Sequence, residues 1–220
     1  MRLVSTMGVV PRDVEIAARD ATLPGILSVP DEPLGVVLFA HGSGSSHLSA
    51  RNRMVAERLV QAGFATLLFD LLDEREADDR SAVFDIPFLA ARLEDATHNV
   101  PALLDGWIPV GYFGASTGGG AALWAAADLG PRVEAVVSRG GRPDLAGSHL
   151  VNVKAPTLLI VGGRDDVVLQ LNRDAQRRLR CANDLEVVAG ATHLFEEPGA
   201  LERVAELATG WFVAQMGPGA

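Results

Sequence analysis

The sequence predicts an α/β fold: a mostly parallel, twisted sheet of about eight strands with helices on both faces and no cap domain. Three observations predict it. Short apolar runs rich in Val, Ile, Leu and Phe recur at 35–40, 64–69, 109–113, 133–137, 157–161 and 185–188, the pattern of strands buried on both faces. Helix-length stretches separate most of these runs, and strand–helix–strand alternation implies parallel neighbours joined by right-handed crossovers. Composition agrees: 48% of the 220 residues are hydrophobic, enough to bury a sizeable core and unlike a disordered chain. Residues 1–220 are expected to form a single domain, because no internal repeat or low-complexity linker divides them.

Taken in order, residues 14–18 and 22–29 alternate loosely around Arg19-Asp20-Ala21 and predict an antiparallel hairpin at the sheet edge. After a turn at 31–33 come strand 35–40, a helix over about 50–62, strand 64–69, a helix over about 86–105 and strand 109–113. The Ala-rich helix 117–129 stops at Gly130-Pro131. Strands 133–137 and 157–161, a helix over about 171–180, strand 185–188 and a helix over about 198–214 complete the chain. The acidic run 73–79 (DEREADD) reads as a solvated loop or a helix start. Only about 19 residues, 138–156, lie between two of the strands, too few for a separate cap, so the pocket is expected to be open and bounded by loops.

Chemistry concentrates at the carboxyl ends of the strands, where open α/β sheets carry their sites. Gly114-Ala115-Ser116-Thr117-Gly118 lies between strand 109–113 and helix 117–129. A serine on such a strand-to-helix elbow needs small residues two before and two after it, which Gly114 and Gly118 supply. Ser116 is therefore the candidate nucleophile. A serine hydroxyl is weak at neutral pH and needs a neutral imidazole to take its proton, with a carboxylate to orient the ring. In the order serine, acid, histidine, Asp165 follows strand 157–161 in Gly162-Gly163-Arg164-Asp165-Asp166, with Asp166 as the alternative acid, and His193 follows strand 185–188 in Gly190-Ala191-Thr192-His193. Each lands on a loop after its own strand.

A tetrahedral intermediate also requires donors for its oxyanion. The backbone N–H of Thr117 is one candidate; the backbone N–H of Ser43, in the His41-Gly42-Ser43-Gly44 loop after strand 35–40, is the other. His41 is expected to shape that loop, and His47, His98 and His149 read as surface or capping histidines. Arg139 and Arg142, after strand 133–137, are candidates for binding an anionic substrate group, against the alternative that they pair with Asp144 or cap a helix.

The succession of the His41-Gly42 loop, the Ser116 elbow, the Asp165 turn and the His193 loop resembles the α/β-hydrolase superfamily over nearly the whole chain. Within it, HGSGSS (41–46), DLL (70–72), SRGGRPDLA (138–146) and HLFEEPGALE (193–202) look like the dienelactone-hydrolase-like branch, and are similar to small proteins sometimes found joined to a phosphoribosyltransferase domain. Dienelactone hydrolases proper use a cysteine nucleophile where this chain has Ser116, which favours a general ester over a dienelactone. The resemblance implies a serine hydrolase that cleaves small or short-chain carboxylic esters through an acyl-enzyme. Acyl transfer to an alcohol or peroxide on the same triad, and a non-catalytic ligand-binding module, are the alternatives.

A net charge of −9 disfavours nucleic acid and anionic membrane as partners and says nothing of a small neutral ester, the partner the resemblance implies; oligomeric state is not legible. The single Cys181 follows the Arg-rich 177–180 and reads as a half-buried bystander, despite positive charge that can lower a thiol pKa. No Cys/His spacing indicates a metal, and no cofactor is expected. The start of the chain, residues 1–5, carries no sustained apolar segment, which makes the cytoplasm the expected location.

Overall fold

The computed structural model describes residues 9–219; the start of the chain read above, 1–5, lies outside the described residues. Strands β1 (Arg12–Ala18) and β2 (Ala21–Ser28) form the antiparallel hairpin around Arg19-Asp20. The chain then alternates through β3 (Val36–Ala40), α1 (Ala50–Gln61), β4 (Ala65–Phe69), α2 (Glu74–Asp78), α3 (Arg80–Val83), α4 (Ile86–Leu103), β5 (Val110–Ala115) and α5 (Thr117–Leu129). It ends with β6 (Ala135–Arg139), β7 (Thr157–Gly162), α6 (Asp166–Arg178), β8 (Asn183–Val188) and α7 (Ala200–Met216). The eight strands make one sheet in the order β1-β2-β4-β3-β5-β6-β7-β8, antiparallel through β2–β4 and parallel from β4 onward.

The two faces of the sheet follow from the period-2 alternation of side chains along each strand. Val37, Phe39, Phe113, Val137 and Ile160 face α1 and α7, whereas Leu38, Leu67, Tyr112, Val136 and Leu159 face α4 and α5. Each such side chain, fully buried, stabilises the fold by roughly 1.5–3 kcal/mol relative to exposure. The one polar group in this set, the Tyr112 hydroxyl, is satisfied by Thr97 Oγ1 at 2.5 Å.

The acidic run is not a solvated loop. Asp73 Oδ1 accepts the N–H groups of Arg75 and Glu76 at 2.8 Å each, and Glu76 Oε2 accepts the Asp73 N–H at 2.9 Å, a capping box that starts α2. Asp79 caps α3 more simply, its Oδ1 accepting the Ser81 N–H at 2.8 Å. The fully buried Arg92 of α4 ties the run down, reaching Glu76 at 2.8 Å and Asp20 at 3.0 Å.

Helix α6 begins at Asp166, earlier than the periodicity of the sequence implies. Val167 and Val168 are β-branched and read as loop; in the structure Val168 packs on Val161 while the Asp165 carbonyl accepts the Leu169 N–H at 2.8 Å. Tertiary burial outweighs the weak helix propensity of valine. Between β6 and β7 the described residues hold only 3-10 turns over Pro143–Asn152, packed against α5, and no cap. No helix among the described residues is long and apolar enough to cross a membrane.

Candidate active site

Ser116 sits where β5 becomes α5, with φ 51° and ψ −121°, a conformation that non-glycine residues adopt rarely and that marks strain at functional positions. The local sequence makes it attainable. A Cβ on Gly114 would lie 2.6 Å from the Gly118 carbonyl oxygen, and one on Gly118 would lie 2.1 Å from the Ala40 carbonyl oxygen. Only glycine lets the turn close against the end of β3. The strained residue is held through its backbone: Ser116 N–H donates to the Arg139 carbonyl at 3.3 Å, and its own carbonyl accepts the N–H groups of Gly119 and Arg142, each at 3.0 Å.

The acid turn and the histidine loop are built against each other. A Cβ on Gly162 would lie 2.5 Å from the Ala191 carbonyl oxygen, which instead accepts the Arg164 N–H at 2.9 Å. Asp165 occupies the N-cap position of α6 but makes no side-chain cap bond. Its carboxylate is thereby left for His193: Oδ2 lies 2.6 Å from Nδ1, and Nε2 lies 3.3 Å from Ser116 Oγ. Ser116, His193 and Asp165 thus converge in hydrogen-bond reach, while Asp166 is an exposed residue of the first turn of α6. A hydroxyl, an imidazole and a carboxylate so arranged can move one proton off the serine and return it to a leaving group.

Sequence reasoning missed what fixes the histidine loop. The Thr192 N–H is shared by both oxygens of Glu197 at 3.1 Å each, and the Thr192 side chain, followed by this N–H, holds the Glu197 carboxyl below its ordinary pKa. Phe195, 1% exposed and at φ 55°, anchors the loop in the core. The sequence signal was present only as an acid four residues after the base.

The two candidate oxyanion residues, Ser43 and Thr117, meet just past the ends of the paired strands β3 and β5. Ser43 N–H donates to Thr117 Oγ1 at 2.9 Å, so an incoming carbonyl oxygen has to displace or join that hydroxyl. The loop carrying Ser43 is tied to the end of β4. His41 Nε2 accepts the Leu71 N–H at 3.0 Å, and His41 Nδ1 lies 3.0 Å from the Gly42 carbonyl. Loop shaping is therefore the role the geometry gives His41, as expected. His47 was underread: its Nδ1 meets Asp70 Oδ2 at 2.8 Å and its backbone N–H meets Asp70 Oδ1 at 2.6 Å. The position of Asp70, just past β4, was the available signal. His98 accepts from Arg132 at 2.9 Å, and His149 stacks on Trp124.

Burial pulls the His41 pKa down, opposed less strongly by the Gly42 carbonyl and Asp70. In the unfolded chain the ring takes up a proton from about pH 6.5 downward, before the folded ring does. The unfolded state then binds more protons, so His41 makes stability fall as pH drops below that value. His41→Gln, which keeps an acceptor for Leu71, is expected to flatten the acid-side decline of Tm, measured by calorimetry between pH 8 and pH 5; an unchanged slope would remove His41 from that role.

Arg142 takes the alternative the sequence offered, a pair with Asp144, and Arg139 takes neither place. Arg142 is held bidentately by Asp144 at 2.8 and 2.7 Å. Arg139 shares its face of β6 with Ala135 and Val137, so its side chain turns under α1: it is 7% exposed, donates to Asn52 Oδ1 at 3.3 Å, and lies over the Phe195 ring at 5.8 Å. Burial, and secondarily Arg51, draw its pKa down to about 10, which leaves it charged at neutral pH. The substrate-binding candidacy of Arg139 is corrected by its burial under α1, and that of Arg142 gives way to the Asp144 pair. Burial likewise pushes the Cys181 thiol up, outweighing the smaller lowering contributed by Lys154, in keeping with a bystander.

A parallel sheet with a strained serine elbow, an acid turn and a histidine loop at its carboxyl edge defines a protein of the α/β-hydrolase class. The chain belongs to the alpha/beta hydrolase domain family, matching it over residues 33–209, and within the superfamily to the dienelactone-hydrolase-like branch. It is similar to a dienelactone hydrolase from Anabaena variabilis, with 54% sequence identity and a TM-score of 0.89 over 94% of this chain and 99% of that one. A dienelactone hydrolase-like promiscuous phosphotriesterase from metagenomic libraries shares the fold, with a TM-score of 0.77 at 20% identity over 96% of this chain and all of that one. Proteins from two strains of Mycobacterium tuberculosis, provisionally named phosphoribosyl transferases, are 60% identical over 209 residues, which is 94% of this chain and 47% of theirs. The chain thus spans about half the length of the curated relatives it matches.

Proposed function

We propose that the protein is a serine hydrolase of small carboxylic esters that works through an acyl-enzyme and needs no cofactor. The observation that carries this reading is the line from Asp165 Oδ2 through His193 to Ser116 Oγ, with steps of 2.6 and 3.3 Å. In the first half-reaction Ser116 Oγ attacks the ester carbonyl as its proton passes to His193 Nε2. Asp165 holds the ring in the tautomer with hydrogen on Nδ1 and stabilises the imidazolium. The N–H groups of Thr117 and Ser43 receive the oxyanion. His193 then protonates the departing alcohol. In the second half-reaction it takes a proton from a water that attacks the acyl carbon, and gives that proton to Ser116 Oγ as the acyl–oxygen bond breaks and the acid leaves.

The transferase name of the mycobacterial relatives does not displace this reading, since the chain matches only 47% of their length and a phosphoribosyl transfer activity can reside in the remainder. The reading is tested with p-nitrophenyl acetate, butyrate and octanoate. The expected order has acetate and butyrate above octanoate, because the site is bounded by short loops; octanoate hydrolysed as fast as butyrate would overturn the short-chain preference.

A further inference from the structure

A cavity of about 180 Å³ opens beside the oxyanion donors, between the 41–46 loop and the α2–α3 segment. Ser43 and Thr117 stand on its wall, Leu71, Leu72, Val83 and Leu89 give it an apolar lining, and Asp70, Asp73 and Glu74 border it. No lysine or arginine lines it. Arg92, behind this segment, is bound to Glu76 and Asp20, Arg142 is bound to Asp144, and Arg139 lies under α1; Arg75 and Arg80 are exposed on α2 and α3 and do not line the cavity.

The topology decides which part of an ester enters. The cavity lies on the β4 side of Ser116, whereas His193 follows β8 at the other end of the strand order. The leaving oxygen has to take its proton from His193 Nε2, so it departs toward β8, and the acyl group points the opposite way. At roughly 30 Å³ per water-sized group, the cavity has room for about six, which matches an acyl chain of a few carbons.

Building on the ester-hydrolase reading above, we infer that this cavity binds the acyl group and selects short, uncharged acyl chains against those that end in a carboxylate. Such a carboxylate would be seated beside Asp70, Asp73 and Glu74, of which Asp70 pairs with His47 and Asp73 caps α2, with no lysine or arginine in the lining to meet it, and like-charge juxtaposition opposes binding strongly.

The test uses three ethyl esters of equal acyl length: ethyl pentanoate, ethyl 4-carbamoylbutanoate and monoethyl glutarate, followed by pH-stat. The amide controls for size and polarity without charge. kcat/KM is expected to be at least about tenfold lower for the glutarate than for the amide. In the Asp73→Asn, Glu74→Gln double variant the gap is expected to narrow severalfold; asparagine keeps the cap of α2. Equal or faster turnover of the glutarate overturns the inference, and so does a gap that the double variant leaves unchanged. Labelling of Ser116 by a fluorophosphonate, scored in parallel, separates the two levels: a labelled serine with inverted preference sinks the cavity inference alone, whereas an unlabelled serine sinks the ester-hydrolase reading with it.

Discussion

Ser116→Ala is expected to abolish ester hydrolysis, lowering kcat by about 10⁶, the scale on which serine-triad enzymes lose activity when the nucleophile is removed. Residual turnover should be confined to what substrate binding and the oxyanion donors contribute without the serine. The folded protein should barely notice. Among the described residues Ser116 Oγ hydrogen-bonds only to His193, at 3.3 Å, and the strained backbone is held by the Arg139, Gly119 and Arg142 main-chain bonds, which alanine retains. An unchanged Tm with lost activity and lost fluorophosphonate labelling would therefore separate chemistry from stability. Retention of more than about one hundredth of the activity, far above the loss expected for a nucleophile, would mean that another group attacks the ester.

That sharp a prediction was available from the sequence because the elbow is a local motif. Gly114 and Gly118 are required by contacts of 2.6 and 2.1 Å with neighbouring backbone, and the strand and helix flanking them have unambiguous patterns, so α5 falls at the bounds that its Ala-rich run and Gly130-Pro131 stop imply. Parallel strands were legible for the same reason: β3, β4, β5, β6 and β7 are buried along their whole length and read as largely apolar runs, although β6 lies two residues later than 133–137 and ends in Ser138 and Arg139. What stayed hidden depends on partners distant in sequence. The destination of Arg139 is set by which face of β6 it occupies and by α1 lying over that face, and a charge beside a strand end looks the same whether it faces a pocket or a helix. The His47–Asp70 pair and the grip of Glu197 on Thr192 likewise join segments whose approach is decided by the fold. For α2 the sequence left a solvated loop and a helix start open, and the capping box, a sequence pattern in its own right, decides for the helix start.

The second large effect concerns the acid. Asp165→Asn is expected to lower kcat by roughly 10⁴ while KM changes little. The carboxylate never touches the substrate; it accepts the Nδ1 hydrogen of His193 at 2.6 Å and so leaves Nε2 free to receive the serine proton. An asparagine amide can instead donate to Nδ1, which puts the ring hydrogen on Nε2, where it blocks proton removal from Ser116. Stability gives no competing explanation, because the Asp165 side chain makes no cap bond to α6 and asparagine is as good an N-cap residue as aspartate. Asp166→Asn is the matched control. Its carboxylate is exposed on the first turn of α6, where it interacts with the helix dipole for at most about 1 kcal/mol, and near-normal kcat is expected. A large loss at Asp166 with Asp165→Asn still active would reverse the assignment, and the close approach of the Gly162 turn to Ala191 would then be serving only to pack two loops. The geometry argues otherwise: the glycine that allows that approach is what brings Asp165, and not its neighbour, to the histidine.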